Sequence, residues 1–121
     1  MFQIIFNQIS AAELAALPKD LQMELTERFK IAPEDLEQPH PERFGVIERD
    51  GKKLYRYYAG KDYRIYFEKT ETGILVHRIL HKSTFRDFLF RSKLPMAEDE
   101  ELGQSKAFWK LIKEGEDAGL K

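Results

Sequence analysis

The chain has 121 residues, 42% of them hydrophobic and 12% aromatic, with 7 Gly and 5 Pro, a composition that suits one folded domain around a single core rather than a disordered segment. It has no cysteine, which excludes disulfides, thiolate nucleophiles and thiolate-based zinc sites. The formal net charge is only −1, but residues 1–42 hold 3 basic and 8 acidic side chains (−5), residues 43–93 hold 13 and 6 (+7), and residues 94–121 hold 4 and 7 (−3). Two readings of that layout stand side by side: ordinary fluctuation of surface charge, or a central segment that faces a polyanion.

In chain order, Phe2 to Phe6 reads as a short strand with apolar side chains on both faces. Ser10 followed by Glu13 has capping-box spacing, so a helix is expected over Ala11 to Leu17, with Pro18 opening a second one. That second helix carries Leu21, Met23, Leu25 and Phe29 as its apolar stripe and ends before Ala32-Pro33. Pro33 to Pro41, rich in proline and acid, reads as a connecting loop.

From Phe44 the period becomes two. Strands are expected over Phe44 to Arg49, Lys53 to Tyr58, Tyr63 to Lys69 and Ile74 to Leu80, joined by turns at Asp50-Gly51, Ala59 to Asp62 and Thr70 to Gly73. Short turns between consecutive strands make an antiparallel meander. Ser83 or Thr84 then caps a short helix carrying Phe85, Phe88 and Leu89, ended by Pro95. Past Met96 the chain turns acidic through Leu102, breaks at Gly103, and Ser105 caps a last amphipathic helix with Phe108, Trp109, Leu111 and Ile112, expected to dock on the core. The alternative for that Trp-bearing segment is a partner-binding arm. The fold class is α+β, with helices on one sheet face and the other face left open for basic residues. Two units are expected, a folded domain over 1–95 and an acidic, amphipathic extension over 96–121. No stretch approaches the length of a membrane span and no basic leader precedes the apolar start, so a cytoplasmic protein without a membrane role is expected.

Candidate chemistry gathers on the expected open face. Arg64 alternates with Ile65 and Phe67, Arg56 lies on the strand before it beside Lys52 and Lys53, and Arg78, His81 and Lys82 follow on the last strand and its end. Guanidinium and ammonium groups next to an imidazole suit a phosphodiester: Arg binds phosphate bidentately and His moves protons near neutral pH. Tyr55, Tyr57, Tyr58 and Tyr66 offer stacking surfaces for unpaired bases. The plainer reading gives the tyrosines a packing role, the lysines a solvated hairpin tip, Arg64 an ion pair with Glu48 or Glu68, and His77 a structural place within its apolar run.

The run Tyr63-Arg64-Ile65-Tyr66-Phe67, the strand ending Ile79-Leu80-His81-Lys82, the helix Phe85 to Phe90 and the ending Arg91-Ser92-Lys93-Leu94-Pro95 resemble the RelE/ParE superfamily of bacterial toxins, most closely over residues 44–95. The resemblance implies a RelE-like fold, with an N-terminal strand and helical pair, an antiparallel meander and a short C-terminal helix. It also implies a toxin of a type II toxin–antitoxin system: a metal-independent endoribonuclease that cuts messenger RNA on the ribosome through the adjacent 2′-hydroxyl, without a cofactor, and that a cognate antitoxin silences. By that resemblance Arg64 contacts the scissile phosphate and His81, Lys82 and Arg56 complete the catalytic set; Lys52, Lys53, Arg78, Tyr66 and Arg86 are the candidate RNA-binding residues. Phe90 stands where many RelE-type members have a proton-donating Tyr, which leaves His81 as the acid, and the acidic run Glu98 to Glu101 is placed to mask the basic face. Two alternatives stay open: a ParE-like inhibitor of gyrase, and a non-catalytic homologue acting as an interaction module.

Overall fold

A computed structural model describes residues 1–37, 43–85 and 98–121. The architecture is α+β. Strand β1 (Ile4–Phe6) is followed by helices α1 (Gln8–Ala15), α2 (Lys19–Arg28) and α3 (Pro33–Glu37). Next come the meander strands β2 (Phe44–Arg49), β3 (Lys52–Ala59), β4 (Tyr63–Thr70) and β5 (Gly73–His81), a 3₁₀ turn (Lys82–Phe85), and helices α4 (Glu98–Gly103) and α5 (Lys106–Asp117). The sheet runs β1-β5-β4-β3-β2 and is mixed. The meander is antiparallel as its short turns require, and β1 joins β5 in parallel, with Ile4 opposite Ile74 and Phe6 opposite Val76. The first hairpin turn has both Asp50 (φ 53°) and Gly51 (φ 80°) in the left-handed region, the geometry that matches strand twist in two-residue hairpins.

Helices cover both faces of this sheet, and that corrects the expectation of one open face. On one side Leu17, Leu25, Phe29, Ile31 and Leu36 pack on Phe44, Tyr55, Ile65, Phe67 and Ile79. On the other, Leu102, Phe108 and Ile112 of α4 and α5 pack on Ile47, Leu54, Tyr66, Leu80 and Phe85. A sheet buried on both faces loses clean alternation, and β4 shows this, with four consecutive buried residues from Arg64 to Phe67. Residues 98–121 are therefore part of the packed body. The helix expected after Ser83 is, as far as it is described, the 3₁₀ turn; its remainder, with Arg86, Phe88, Phe90 and Pro95, lies outside the described residues.

Local signals shifted in three places. Asn7, not Ser10, is the N-cap of α1: its Oδ1 accepts from the Ser10 amide at 2.7 Å while Ser10 Oγ accepts from the Asn7 amide at 3.0 Å. Met23 is 66% exposed and takes no part in the core stripe. Part of the expected acidic loop is α3, which buries Leu36. A β-bulge between β4 and β5 pairs Tyr66 with Arg78 but Phe67 with Val76, so His77 is the extra residue.

Asn7 ties the two ends of the chain together. Its amide Nδ2 donates to the carbonyls of Val76 (3.2 Å), His77 (3.0 Å) and Gly115 (2.8 Å). Gly115 is required at that crossing, because a Cβ there would lie 2.2 Å from the His77 carbonyl oxygen. The fully buried Asn7 uses both ends of its amide, so Asn7→Asp keeps the cap acceptor and turns three donated bonds into carboxylate–carbonyl repulsion. We expect Asn7→Asp to destabilise the fold by about 3 kcal/mol or more and to be worse than Asn7→Ala, measured as the urea midpoint. Equal midpoints for Asn7→Asp and wild type would remove Asn7 from this role.

Candidate functional site

The centre of the second sheet face is a pair of arginines under α4. Arg56 and Arg64 lie on neighbouring strands, with Tyr58 directly opposite Arg64 and two residues along from Arg56. Both guanidinium groups lie near the Tyr58 ring, their Cζ atoms 3.8 Å (Arg56) and 4.7 Å (Arg64) from its centroid. Each meets a carboxylate with two nitrogens. Arg56 donates from Nε (3.2 Å) and Nη2 (2.8 Å) to the two oxygens of Asp99. Arg64 donates from Nε (3.2 Å) and Nη2 (3.4 Å) to the two oxygens of Glu98, and its Nη1 donates to the Lys61 carbonyl at 2.9 Å. Arg56 is 3% and Arg64 9% exposed. Glu98 and Asp99 of the acidic run therefore cover these two arginines, each carboxylate meeting one guanidinium fork.

Gly45 makes room for this. It is the register partner of Arg56 on β2, and a Cβ there would lie 2.3 Å from Arg56 Nη2 and 2.4 Å from Asp99 Oδ2. A glycine inside a strand marks such a close approach, and it is the sequence signal for the cradle that pattern reading passed over.

The electrostatics follow from burial. For Arg56, loss of water alone would lower the pKa, but the hydrogen bond and charge of Asp99 outweigh it and hold the guanidinium above its usual value. Burial raises the Tyr58 phenol, with Arg56 pulling down and Glu98 and Asp99 pushing up. Burial raises the Tyr66 phenol strongly. Both phenols thus keep their protons across the neutral range. Tyr58 Oη donates to Glu98 Oε2 at 3.5 Å.

The other expected site residues do not converge on this cradle. His81 pairs across the ladder with Tyr63 and stacks edge-on against its ring at 5.0 Å, which puts it on the face opposite Arg64. Its Nδ1 is 2.8 Å from Ser83 Oγ. Lys82 pairs with Asp62 at 2.9 Å in the open, and that contact lowers the Asp62 pKa. Lys53 lies over Tyr55, a residue of the first core, and so points to the first face. Tyr66 is fully buried between Phe85 and Phe108 and offers no stacking surface. Arg78 is held by Glu13 at 3.0 Å, Glu114 at 3.2 Å and the Leu111 carbonyl at 3.0 Å. Arg86 lies outside the described residues.

Lys52 belongs to a separate polar cluster. Its ammonium meets Glu116, whose Oε1 lies 4.0 Å from His77 Nε2, and that nitrogen is 3.0 Å from Glu68 Oε2. Glu68, His77 and Glu116 bring one ligand atom each within 4.8 Å of one another, the one such grouping among the described residues. Lys52 already supplies a cation there. The charge layout of the chain thus resolves internally: Glu98, Asp99, Glu114 and Glu116 from the C-terminal segment, and Glu13 from α1, pair with basic side chains of the central segment.

His77 gives this cluster a pH response. The residue is 2% exposed, and burial lowers its pKa below the ordinary 6.5, with the Glu68 hydrogen bond opposing and Lys52 adding to the fall. The unfolded chain therefore binds the proton more readily than the folded one, so stability is whole above pH 6.5 and falls as the pH drops from there toward the folded-state pKa. Glu68, Glu116 and Lys52 are the charged groups that face the ring. We expect the melting temperature to fall between pH 6.5 and 5 and the slope to flatten in His77→Gln; an unchanged slope in that variant would place the pH response elsewhere.

No family model matches the chain, and no curated protein or solved structure matches it.

Proposed function

We propose that the chain acts on messenger RNA as a metal-independent endoribonuclease of the toxin type, with Arg56 and Arg64 as its phosphodiester grip and α4 as the cover of that grip. The carrying observation is the pair of two-nitrogen guanidinium–carboxylate contacts around Tyr58, because the same fork geometry serves carboxylate and phosphate alike. The sequence resemblance over residues 44–95 supports the same reading.

In this reaction the 2′-hydroxyl attacks the neighbouring phosphorus and gives its proton to solvent. The bond from phosphorus to the 5′-oxygen breaks, and the products are a 2′,3′-cyclic phosphate and a 5′-hydroxyl. Arg56 and Arg64 stabilise the added charge on the phosphoryl oxygens. The leaving 5′-oxygen takes its proton from Tyr58, the phenol at the cradle, because His81 faces the other side of the sheet, and solvent returns a proton to the phenolate. A cognate antitoxin and the ribosome remain the partners of this reading.

A second reading has its own observation. Both arginines are already satisfied by the chain's own carboxylates, which suits an interaction module without turnover. Messenger RNA 5′ ends mapped after induction of wild type, Arg64→Ala, Glu98→Gln/Asp99→Asn and the triple variant separate the two. The nuclease reading expects cuts in translated frames that rise roughly tenfold in the uncovered double variant for each ~1.4 kcal/mol removed from the cover, and vanish when Arg64→Ala is added. Soluble double variant without cuts would leave the interaction module; cuts retained in Arg64→Ala would remove the cradle from the chemistry.

A further inference from the structure

A second basic surface lies away from the cradle, and among the described residues no acidic helix covers it. The β2–β3 hairpin and helix α5 enclose an open groove of about 600 Å³ lined by Arg49, Lys52, Lys106, Lys110, Lys113 and Trp109. The row Lys106, Lys110, Lys113 follows helical spacing, so its members stand on one side of α5, about 6 and 4.5 Å apart along the axis. The opposite side of α5 is buried through Phe108 and Ile112, which fixes the row in place.

Two acidic residues also line the groove, and neither neutralises the row. Glu116 is engaged by Lys52 beside His77, and Asp50 sits at the hairpin tip, 3.8 Å from Arg49 with its side chain 93% exposed. Lys113 pairs with Asp117 at 3.6 Å, with both side chains well exposed, a contact of little weight. Lys106 and Lys110 are exposed and have no ion pair among the described residues. Trp109 is partly exposed between them, and its ring is held rigidly: Nε1 donates to the Gly103 carbonyl at 2.8 Å, and the ring stands edge-on to Phe108 at 5.5 Å.

We infer that this groove binds single-stranded nucleic acid, its phosphates along the Lys106–Lys110–Lys113 row and a base stacked on Trp109. Lys106 and Lys110, without an ion pair among the described residues, and Lys113 in a weak exposed one stand beside a fixed indole, which is what an unpaired strand requires: charge for the backbone and a flat apolar face for a base. An acidic peptide would use the lysines but would leave the indole without a role. The site is distinct from the Arg56–Arg64 cradle, and its occupancy does not depend on cleavage there.

Trp109 is the only tryptophan of the chain, so it reports on its own groove. Oligouridylate of roughly ten nucleotides, within the site sizes such surfaces take, is titrated into the full chain while tryptophan emission is followed. Saturable quenching is expected, with similar affinity for oligothymidylate, since neither lysine nor indole reads the 2′-hydroxyl. Lys106→Ala/Lys110→Ala should weaken binding about tenfold and reduce the slope of log affinity against log salt by about 1.4, close to 0.7 for each lost phosphate contact. Both lysines are exposed, so this variant keeps its fold. Binding of Trp109→Phe, followed by anisotropy of a labelled strand, should be weaker with the salt slope kept. Absence of quenching, affinity unchanged in the lysine variant, or equal quenching by polyglutamate would each overturn the assignment, whatever the cradle does.

Discussion

Two guanidinium groups stand on a sheet face that must otherwise be covered by apolar side chains, and the C-terminal quarter of the chain is arranged around that conflict. Arg56 and Arg64 share their face with Leu54, Tyr66 and Leu80. Shielding those three from water takes a helix, and a helix laid there also buries the arginines. A purely apolar helix would leave two buried charges unpaired, at several kcal/mol each. Helix α4 meets both demands with one turn. Glu98 and Asp99 take the guanidinium groups, and Leu102, four and three residues on and so on the same side, enters the apolar cluster. The ion pairs do not by themselves explain why the fold is stable, since a well-packed apolar substitute for such a pair is often as good. What they fix is which segment covers this face, and in what register.

The same arrangement gives the lopsided charge of the sequence a meaning. Of the two readings open at the outset, a polyanion partner and chance fluctuation, the structure favours a third. The acidic termini are the polyanion for much of the basic centre, with Glu13 on Arg78, Asp99 on Arg56, Glu98 on Arg64 and Glu116 on Lys52. Lys106 and Lys110 stand outside this accounting, on an acidic segment where a charge sum hides them.

What could be read from sequence divides by the range of the interaction involved. The meander was legible because its causes are local: Asp50-Gly51 dictates a tight turn, and the alternation from Tyr63 to Phe67 dictates a strand. The docking of α5 followed from its apolar stripe. The second covered face was misread because the polar alternates of β3 and β4, Arg56 and Arg64, look like solvent-facing residues until their partners about 40 residues away are known. His81 was assigned to the arginine face by its closeness in sequence to Arg78, but three residues of unbroken alternation separate the two, and the Tyr63 pairing sets His81 on the other side. Asn7 as a cap was hidden by Ser10, a residue equally suited to that place, and only the carbonyls of Val76, His77 and Gly115 explain why an amide is needed. Gly45 was visible but mute, since a strand glycine says that something comes close without saying what.

The two candidate surfaces differ in what it takes to use them, because α4 and α5 are held with different strength. Helix α5 buries Phe108 and Ile112, each worth about 2 kcal/mol, and its C-terminal turn is tied to Asn7 through the Gly115 carbonyl. Helix α4 buries one apolar side chain, Leu102, again about 2 kcal/mol, and otherwise rests on the two ion pairs. Gln104 and Ser105 join the two helices, their amides donating to the Glu101 and Leu102 carbonyls while the Trp109 indole holds the Gly103 carbonyl at the end of α4. Uncovering Arg56 and Arg64 therefore needs α4 to lift while α5 stays, and a strand lying along the lysine row of α5 would bring phosphates close to the joint without displacing anything. If both surfaces take a polyanion, packing sets the order: the site that needs no rearrangement is reached first.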